Sequence, residues 1–300
     1  MTIIYRPARP DDLTAAGAIV QQAYNDLRVR HGLAPTVGLR APLFQRFCLA
    51  EDPDGLWVAE ADDGIVGFGF SWICQKFWFL AQLFIRPGTQ ASGIGRTLLS
   101  KTLEQAQRND AGNRALITLA YNPISTGLYV RNGMYPREPL YSVAAPASVV
   151  GQYVTTAAYD AVPIAPWPEP QRWIGEIDEQ VLGFRRDSHH RFLLGEYPVR
   201  AIRIERAGRP VGYAYVSAEG HVGPLAIALD ADRKAVVATA IQCALQQNPA
   251  QLSMIVAGRA EQILDTVSAF GFRLDEPYVL LSAQPFGDWR NYMPNNPGYM

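Results

Sequence analysis

Residues Gln90, Ala91, Ser92, Gly93, Ile94 and Gly95 form a short loop whose composition suits phosphate binding. The loop follows an apolar run at 79–85 and precedes an amphipathic segment at 96–106, so the predicted order is strand, loop, helix. The first N–H groups of a helix lack intrahelical partners and lie at the positive end of its dipole, and glycine lets this backbone approach an anion. The order predicts an anion site at 90–96, although a glycine turn before a helix also serves as a plain connection.

The loop does not match the two phosphate loops with the best-known sequence patterns. Gly88 and Gly93 have the Walker spacing, but Ile94 and Gly95 follow where Lys and Ser or Thr are required. Gly93-x-Gly95 lacks the third glycine that the dinucleotide fingerprint places at position 98. Neither a Walker nucleotide site nor a dinucleotide site is therefore expected.

Length, charge and cysteine content limit the class of protein. The chain has 300 residues, which predicts two domains of roughly 150 residues each. It carries 27 basic and 28 acidic residues, so neither nucleic acid nor a membrane surface is an expected partner. It has no signal-like N-terminus and no apolar run long enough to span a bilayer, and its three cysteines are scattered without metal-ligand spacing. We expect a soluble, cytoplasmic protein without a metal.

Residues 1–145 predict one α+β domain that places the loop between a strand and a helix. Helices are predicted at 10–27, 42–49 and 96–106 and from 122 through Tyr129, and strands at 55–60, 65–72, 79–85, 114–119 and 140–143. The turn at 61–64 predicts a hairpin between the first two of these strands. The result is a mixed, mostly antiparallel sheet flanked by helices.

Residues 3–145 resemble the GNAT superfamily of acyl-CoA-dependent N-acyltransferases. Three separate parts of the sequence carry the resemblance: Arg6-Pro7-Ala8 with Asp11-Asp12; Leu83-x-Ile85-x-Pro87 followed by residues 90–95; and Asn122, Ser125 and Tyr129 with Gly133-Met134. They occur in the family's order and spacing. The resemblance implies the GNAT fold and a reaction between an acyl-CoA and an amine.

The resemblance also implies the residues of the cosubstrate site. Acetyl-CoA, or a longer acyl-CoA, would be held through the backbone of the loop and its neighbours, namely Leu83, Phe84, Ile85, Gln90, Ala91, Ser92, Gly93, Ile94, Gly95, Arg96, Asn122 and Ser125. The backbone N–H of Leu83 would stabilise the oxyanion formed from the thioester carbonyl. Tyr129 would return a proton to the departing thiolate, because a phenol is protonated at neutral pH. The alternative for Tyr129 is a packed core residue.

The sequence leaves the general base and the acceptor open. Gln82 stands where family members often carry a glutamate, and Glu60, Asp26 and His31 are alternatives, so no base is assigned. The acceptor is expected to be a primary amine on a small molecule, peptide or protein. Aromatic residues concentrate where an acceptor pocket or an ordinary core would lie: Tyr24, Phe44, Phe47, Trp72, Phe77, Trp78 and Tyr121. A homodimer is left open.

The second half predicts a degenerate copy of the first. After a proline-rich linker at 146–170, residues 208–215 mirror 63–70, and Leu225-x-Ile227 mirrors Leu83-x-Ile85 with an offset of 142. That offset places Ala235, Val237 and Asp232 opposite Gly93, Gly95 and Gln90, while an offset of 138 places Val267, Ala260 and Ile263 opposite Tyr129, Asn122 and Ser125. We therefore expect a domain at 171–300 that keeps the fold and lacks the cosubstrate loop.

Two further segments of the second half have no assigned chemistry. The polar segment 178–191 is expected to be a solvated helix between the domains, and the segment 286–293 either covers a pocket or is loosely ordered.

The resemblance of the first half to the GNAT superfamily implies an N-acetyltransferase in which the amine attacks the thioester directly in a ternary complex. The alternatives are a non-catalytic acyl-CoA-binding or regulatory module and a tandem acyltransferase for a cysteinyl or aminoacyl substrate.

Overall fold

The computed structural model describes residues 2–36, 38, 41–89, 93–154, 156–195 and 197–300. They form two compact units, each with sheet and helix. Unit 1 contains Met1–Leu116 and Ile124–Met134, and unit 2 contains Ile117–Pro123 and Tyr135–Met300. The predicted α+β class is confirmed. Gln90, Ala91 and Ser92, three residues of the predicted loop, lie outside the described residues.

Unit 1 contains the predicted hairpin and the strand and helix on either side of the loop. Its elements are β1 (Ile4–Pro7), α1 (Asp12–Arg30), α2 (Leu43–Glu51), β2 (Leu56–Ala61), β3 (Gly64–Cys74), β4 (Phe77–Ile85), α3 (Ile94–Arg108), the start of β5 (Asn113–Leu119), and α4 (Pro123–Val130) from Ile124 onward. The strands are ordered β1-β2-β3-β4-β5. Neighbouring strands are antiparallel except for the parallel pair β4 and β5.

The two faces of β3 carry different side chains because successive residues of a strand point to opposite sides. Gly67 and Gly69 face α3, and a Cβ built on Gly67 would lie 2.9 Å from Leu98 Cδ1. Phe70 is on the other face, where its ring contacts that of Phe44 on α2 at 5.7 Å. The glycines thus allow α3 to pack closely on the sheet, next to the end of β4.

Unit 2 contains all the elements after α4. They are β6 (Tyr135–Pro146), α5 (Ala147–Val150), β7 (Asp160–Pro163), α6 (Gln171–Leu182), α7 (Asp187–Gly195), β8 (Val199–Arg206), β9 (Arg209–Ser217), β10 (Val222–Ile227), α8 (Arg233–Leu245), β11 (Gln251–Ala257), α9 (Glu261–Ala269), β12 (Arg273–Ser282) and β13 (Tyr292–Met293). Strand β6 lies between β12 and β11, and a separate sheet has the order β13-β10-β9-β8-β7.

Two strands group differently from the domain division predicted from sequence. Strand β6, placed at the end of the first domain, belongs to unit 2 because β11 and β12 pair with its two edges. Strand β7 lies within the predicted linker and pairs with β8. The linker therefore supplies the first strand of the second sheet.

The polar segment 178–191 is not a solvated helix, so this expectation was wrong. Gly183 ends α6 in a left-handed conformation with φ of 85°, and α7 begins four residues later. Asp178, Arg186 and His190 are fully buried, with exposed fractions of 0%. The break allows the chain to turn back, so that Arg186 and His190 reach Asp178 of α6 in the core of unit 2.

The buried side chains Asp178, Arg186, His190, Tyr213, Tyr215 and Tyr292 form a hydrogen-bonded group, called here the buried polar cluster. Arg186 donates two hydrogen bonds to Asp178, each of 3.0 Å, and His190 Nε2 lies 3.0 Å from Asp178 Oδ2. Burial favours the neutral form of Asp178, but the charge of Arg186 and the hydrogen bonds with Arg186 and His190 outweigh it, so the pKa of Asp178 is lowered. The cluster is a buried, compensated set of charges.

Candidate functional site

The carboxyl end of β4 is packed against the beginning of α3. The side chains of Leu83 and Ile85 pack on a core that includes Ile94 and Leu98. A Cβ built on Gly95 would lie 3.7 Å from Ile85 Cγ1, so the first turn of the helix is in contact with the strand. The structure thus brings together Leu83, Ile85, Ile94 and Gly95, which were predicted to share one site.

The backbone N–H of Leu83 points away from β3. The N–H of Arg86 donates to the carbonyl oxygen of Val66 at 2.8 Å, which marks these two residues as a hydrogen-bonded pair. Such pairs alternate along an antiparallel ladder, so the next pair inward, Ile85 with Gly67, is not hydrogen-bonded, and neither is Leu83 with Gly69. Leu83 therefore directs its N–H toward the β5 side of β4.

The parallel pairing of β4 with β5 ends before Leu83. Its register joins Phe77–Leu80 to Asn113–Leu116, and in the described part of the chain it continues no further. A bulge between Phe70 and Ser71 shifts the register of β3 with β4 at the same point. The N–H of Leu83 thus lies on an edge of β4 that β5 does not cover in unit 1.

The N-terminus of α3 has no side-chain cap. Its N-cap residue is Gly93, with φ of 85°, a left-handed conformation that favours glycine. The first intrahelical bond is from the N–H of Thr97 to the carbonyl oxygen of Gly93, at 3.1 Å. Within the described residues, the N–H groups of 94–96 have no acceptor. N–H groups without an intrahelical partner at a helix start can donate to an anion.

Two predicted residues meet on α4. The Tyr129 hydroxyl shares a hydrogen bond with Ser125, and the tyrosine side chain is buried, with an exposed fraction of 5%. Burial raises the pKa of Tyr129 above its usual value, an effect that the Ser125 bond only partly opposes. The phenol is therefore protonated at neutral pH.

Two other predicted residues lie on α3 and β4. Arg96 lies exposed on the first turn of α3, and Phe84 is half-buried and faces Phe68 across the ladder.

The base candidates named from sequence have other partners. Gln82 Oε1 accepts a hydrogen bond of 3.1 Å from Gln45 Nε2 on α2. Glu60 accepts from Arg6 Nε at 2.7 Å, and this bond lowers the pKa of the Glu60 carboxyl. Asp26 pairs with Arg30 at 2.7 Å. Glu60 and Asp26 are thus engaged in ion pairs, and no base is assigned among these residues.

The aromatic residues proposed for an acceptor pocket are mostly core. Phe44, Phe47, Trp72, Phe77 and Trp78 have exposed fractions between 0% and 8%. Tyr24 and Tyr121 are half-buried. Burial on this scale supports the core interpretation for the first five.

A family model described as "Acetyltransferase (GNAT) family" matches residues 21–134. An uncharacterised N-acetyltransferase of Archaeoglobus fulgidus is 31% identical over 115 residues, which cover 35% of this chain and 74% of that protein. The chain belongs to the GNAT family. It is therefore an acyltransferase, and the predicted family is confirmed.

Solved structures extend the GNAT fold over both units. A Pyrococcus horikoshii protein assigned as an acetyltransferase superposes with a TM-score of 0.78 at 19% identity, covering 99% of this chain and 96% of that one. A tandem GNAT protein from the clavulanic acid biosynthesis pathway gives a TM-score of 0.61 at 16% identity, covering 95% and 99%. At these identities the likeness shows the fold alone. It confirms that the chain has a tandem GNAT fold.

The second GNAT copy has a shorter junction between strand and helix. Five residues, 228–232, separate β10 from α8, whereas eight residues, 86–93, separate β4 from α3. The helix starts are thus 139 positions apart, and Asp232, not Ala235, corresponds to Gly93. The predicted offset of 142 holds for the strands but is wrong at the helix, because the loop is three residues shorter.

Asp232 caps α8 with its own carboxylate. Its Oδ1 accepts from the N–H groups of Lys234 at 2.9 Å and Ala235 at 3.3 Å. The equivalent N–H groups at α3, those of Gly95 and Arg96, have no acceptor in the part of the chain that the structure describes. An aspartate at the N-cap satisfies the helix terminus internally and places negative charge where a phosphate would bind.

The edge of β10 that corresponds to the free edge of β4 is covered by β13. Leu225 and Ala226 pair with Met293 and Tyr292. The N–H of Ile227 donates to the carbonyl oxygen of Asn291 at 2.9 Å, and Asn291 Nδ2 donates back to Ile227 at 3.0 Å. Segment 286–293, which the sequence left as a cover or a loose end, is therefore an ordered cover of this strand.

A pair of buried glutamates was missed from sequence. Tyr121, which follows β5, donates from its hydroxyl to Glu276 on β12 at 2.6 Å, and Tyr278 donates to the same carboxylate at 2.8 Å. The offset of 138 relates Tyr121 of the first copy to Arg259 of the second, and Glu138 of the first copy to Glu276 of the second. The N–H of Asn122, beside this group, donates to the carbonyl oxygen of Leu119 at 3.1 Å. Applying the repeat offset to acidic residues would have found the pair.

The described residues contain no group of side chains suited to a metal ion. In the same part of the chain, none of the helices has the length and apolar character required to cross a bilayer.

Proposed function

We propose that this GNAT protein transfers an acetyl group from acetyl-CoA to a primary amine, and that unit 1 carries the reaction. The observation that carries the proposal is the uncapped N-terminus of α3 at Gly93, packed against the end of β4 at Ile85. This arrangement fits a pyrophosphate, whose charge would be stabilised by the N–H groups of 94–96 and the helix dipole.

Different residues of unit 1 act on different atoms during the reaction. The neutral amine attacks the thioester carbonyl, a C–N bond forms and the C–S bond breaks. The N–H of Leu83 donates to the carbonyl oxygen as it becomes an oxyanion. Tyr129 donates its proton to the leaving thiolate and recovers one from the solvent, while the proton released by the amine passes to water. Ser125 is proposed to contact the cosubstrate, as in the family pattern, and the same contact expected of Asn122 stays a prediction from the sequence.

Calorimetric titration with acetyl-CoA tests the site. Gly93→Asp should weaken binding by at least about tenfold, because a carboxylate at the N-cap accepts from the same N–H groups and repels the pyrophosphate. The matched control is Gly32→Asp. Gly32 also lies in unit 1 at a positive φ of 74° with open space around it, so the control adds the same charge and similar backbone strain.

Turnover over a panel of primary amines separates an enzyme from a binding module. The proposal predicts acetylated product from at least one amine, with Tyr129→Phe lowering kcat by about a hundredfold or more and leaving the Kd for acetyl-CoA nearly unchanged. Binding that is equal in Gly93→Asp and Gly32→Asp would refute the site. Binding without turnover of any amine would favour the regulatory module.

A further inference from the structure

A cavity of about 590 Å³ in unit 2 is lined mainly by arginines. Its lining residues are Arg137, Glu138, Pro139, Arg259 and Arg290. The cavity is shallow and widely open to solvent. The cavity is formed by β6, by the segment after β11 and by the segment before β13, and the acyl-transfer residues proposed above take no part in it.

Three guanidinium groups around the cavity donate hydrogen bonds to other parts of unit 2. Arg259 donates to the buried carboxylate of Glu138 through its backbone N–H, at 3.0 Å, and through Nε. Arg290 donates to Asp288 through Nε at 2.8 Å and Nη2 at 2.9 Å. Arg137 Nη2 donates to the carbonyl oxygen of Ala283 at 3.0 Å. Each group is tethered on one side only.

The tethers leave hydrogen-bond donors available to a ligand. Nη1 and Nη2 of Arg259 have no acceptor among the described residues, and 52% of the side chain is exposed. Nη1 of Arg290 also has no acceptor among the described residues, and 59% of that side chain is exposed. Three guanidinium charges face the carboxylates of Glu138 and Asp288, so one positive charge is in excess. Pre-oriented guanidinium groups match the oxygen geometry of phosphate and carboxylate.

The repeat places a different residue at the position equivalent to Arg259. An offset of 138 relates Arg259 of the second copy to Tyr121 of the first, and Glu276 of the second copy to Glu138 of the first. Tyr121 donates to Glu276 through a neutral hydroxyl, whereas Arg259 donates to Glu138, so the buried carboxylate is common to both copies and the cation is specific to the second. A structural role for the glutamate alone would not need an arginine with free donors.

We propose that the cavity binds a small anionic ligand through a phosphate or carboxylate group, and that Arg259, Arg290 and Arg137 are its donors. The site is independent of the acetyl transfer proposed for unit 1. Phosphate and carboxylate groups both accept hydrogen bonds from guanidinium groups, so the experiment tests one ligand of each kind separately.

The test is calorimetric titration at constant ionic strength, adjusted with chloride, using pyrophosphate in one arm and citrate in the other. Saturable binding in either arm is expected, and the stronger arm assigns the phosphate or the carboxylate chemistry. Arg290→Gln and Arg137→Gln should each weaken it by about tenfold or more. The control is Arg172→Gln, since this arginine lies on α6 of the same unit with 91% of its side chain exposed.

Arg259→Gln alone would leave Glu138 buried beside a neutral amide, so its misfolding would be uninformative. The double variant Glu138→Gln, Arg259→Gln keeps the pair neutral and should also lose binding. No saturable binding of either anion, or equal binding by the control and the arginine variants, would overturn the proposal.

Discussion

The two strand-to-helix junctions of this GNAT protein satisfy the same backbone groups in different ways. At α3 the N-cap is Gly93, and the following N–H groups have no acceptor among the described residues. At α8 the carboxylate of Asp232 accepts from two of them, and β13 covers the adjacent strand edge. The comparison teaches that one fold accommodates two kinds of helix start, one without a side-chain cap and one with an aspartate cap beside a covered strand edge.

The two copies also differ in the aromatic side chains of their third strands, β3 and β9. Phe68 and Phe70 of β3 correspond to Tyr213 and Tyr215 of β9, at an offset of 145. In unit 1 the rings pack with aromatic neighbours such as Phe44, whereas in unit 2 the hydroxyls join the buried polar cluster. The first copy is stabilised there by apolar packing, and the second by compensated buried charge.

The largest expected effect comes from breaking the buried polar cluster. Arg186→Met should lower the free energy of unfolding by about 3–5 kcal/mol, because it leaves the carboxylate of Asp178 buried without its main cation. Urea denaturation monitored by circular dichroism measures the change. Arg172→Met, which removes an exposed ion pair with Glu176, should change stability by less than about 1 kcal/mol.

A double variant sharpens that prediction. The variant Asp178→Asn, Arg186→Met no longer has the buried carboxylate of Asp178. It should therefore regain part of the stability that Arg186→Met loses. If Arg186→Met alone unfolds at the same urea concentration as the parent protein, the ion pair between Arg186 and Asp178 does not stabilise unit 2.

The next prediction compares two corresponding backbone N–H groups, that of Leu83 on β4 and that of Leu225 on β10. Leu83→Pro removes an N–H that the ladder to β3 does not use, and it should lower kcat by about 10²–10³-fold, the usual cost of losing one oxyanion donor. Leu225→Pro removes the corresponding N–H, which faces β13, and should lower the free energy of unfolding by about 3 kcal/mol with kcat unchanged. Amine-acetylation kinetics and urea denaturation measure the two outcomes.

Leu83→Ala is the control for the first strand, since it shortens the side chain and keeps the N–H. A proline at 83 that leaves kcat equal to that of Leu83→Ala would show that Leu83 is not the oxyanion donor.

Much of the fold and the predicted site followed from local patterns in the sequence. The hairpin turn between β2 and β3, the apolar strand β4 and the amphipathic helix α3 depend on nearest neighbours along the chain, and they lie where the sequence predicts them. Gly93 was singled out for the same reason, because its role as an N-cap depends on its position before a helix.

The features that the sequence did not predict depend on distant residues. Strand β6 belongs to unit 2 because its partners are β11 and β12, more than a hundred residues away. Asp178, Arg186 and His190 look like solvated residues until the break at Gly183 turns them inward. Asp232 was paired with the wrong residue of the first copy because one fixed offset cannot describe a loop that is three residues shorter.

Acid should weaken unit 2 through its buried histidines. Burial lowers the pKa of His189 and of His190 below the usual value of 6.5. Below that pH the unfolded chain takes up protons that the folded chain does not, so stability falls as pH falls, by up to about 1.4 kcal/mol per pH unit for each histidine. Urea denaturation at pH 7.5, 6.5 and 5.5 measures the slope, which His190→Gln should reduce. Equal stability at pH 6.5 and 5.5 would contradict it.

The smallest expected effect comes from replacing Asp232, the N-cap of α8. It tests whether this cap alone prevents acetyl-CoA from binding at the second strand-to-helix junction. Asp232→Ala removes a side-chain cap and should lower the free energy of unfolding by about 1 kcal/mol, whereas Asp232→Gly, which recreates the residue of the first copy, should cost only a few tenths. Neither variant should bind acetyl-CoA at the second junction, because β13 still pairs with Leu225 and Ala226. Calorimetry in the Gly93→Asp background isolates that junction. Binding restored there by Asp232→Gly would mean that the cap, and not the covering strand, closes the second site.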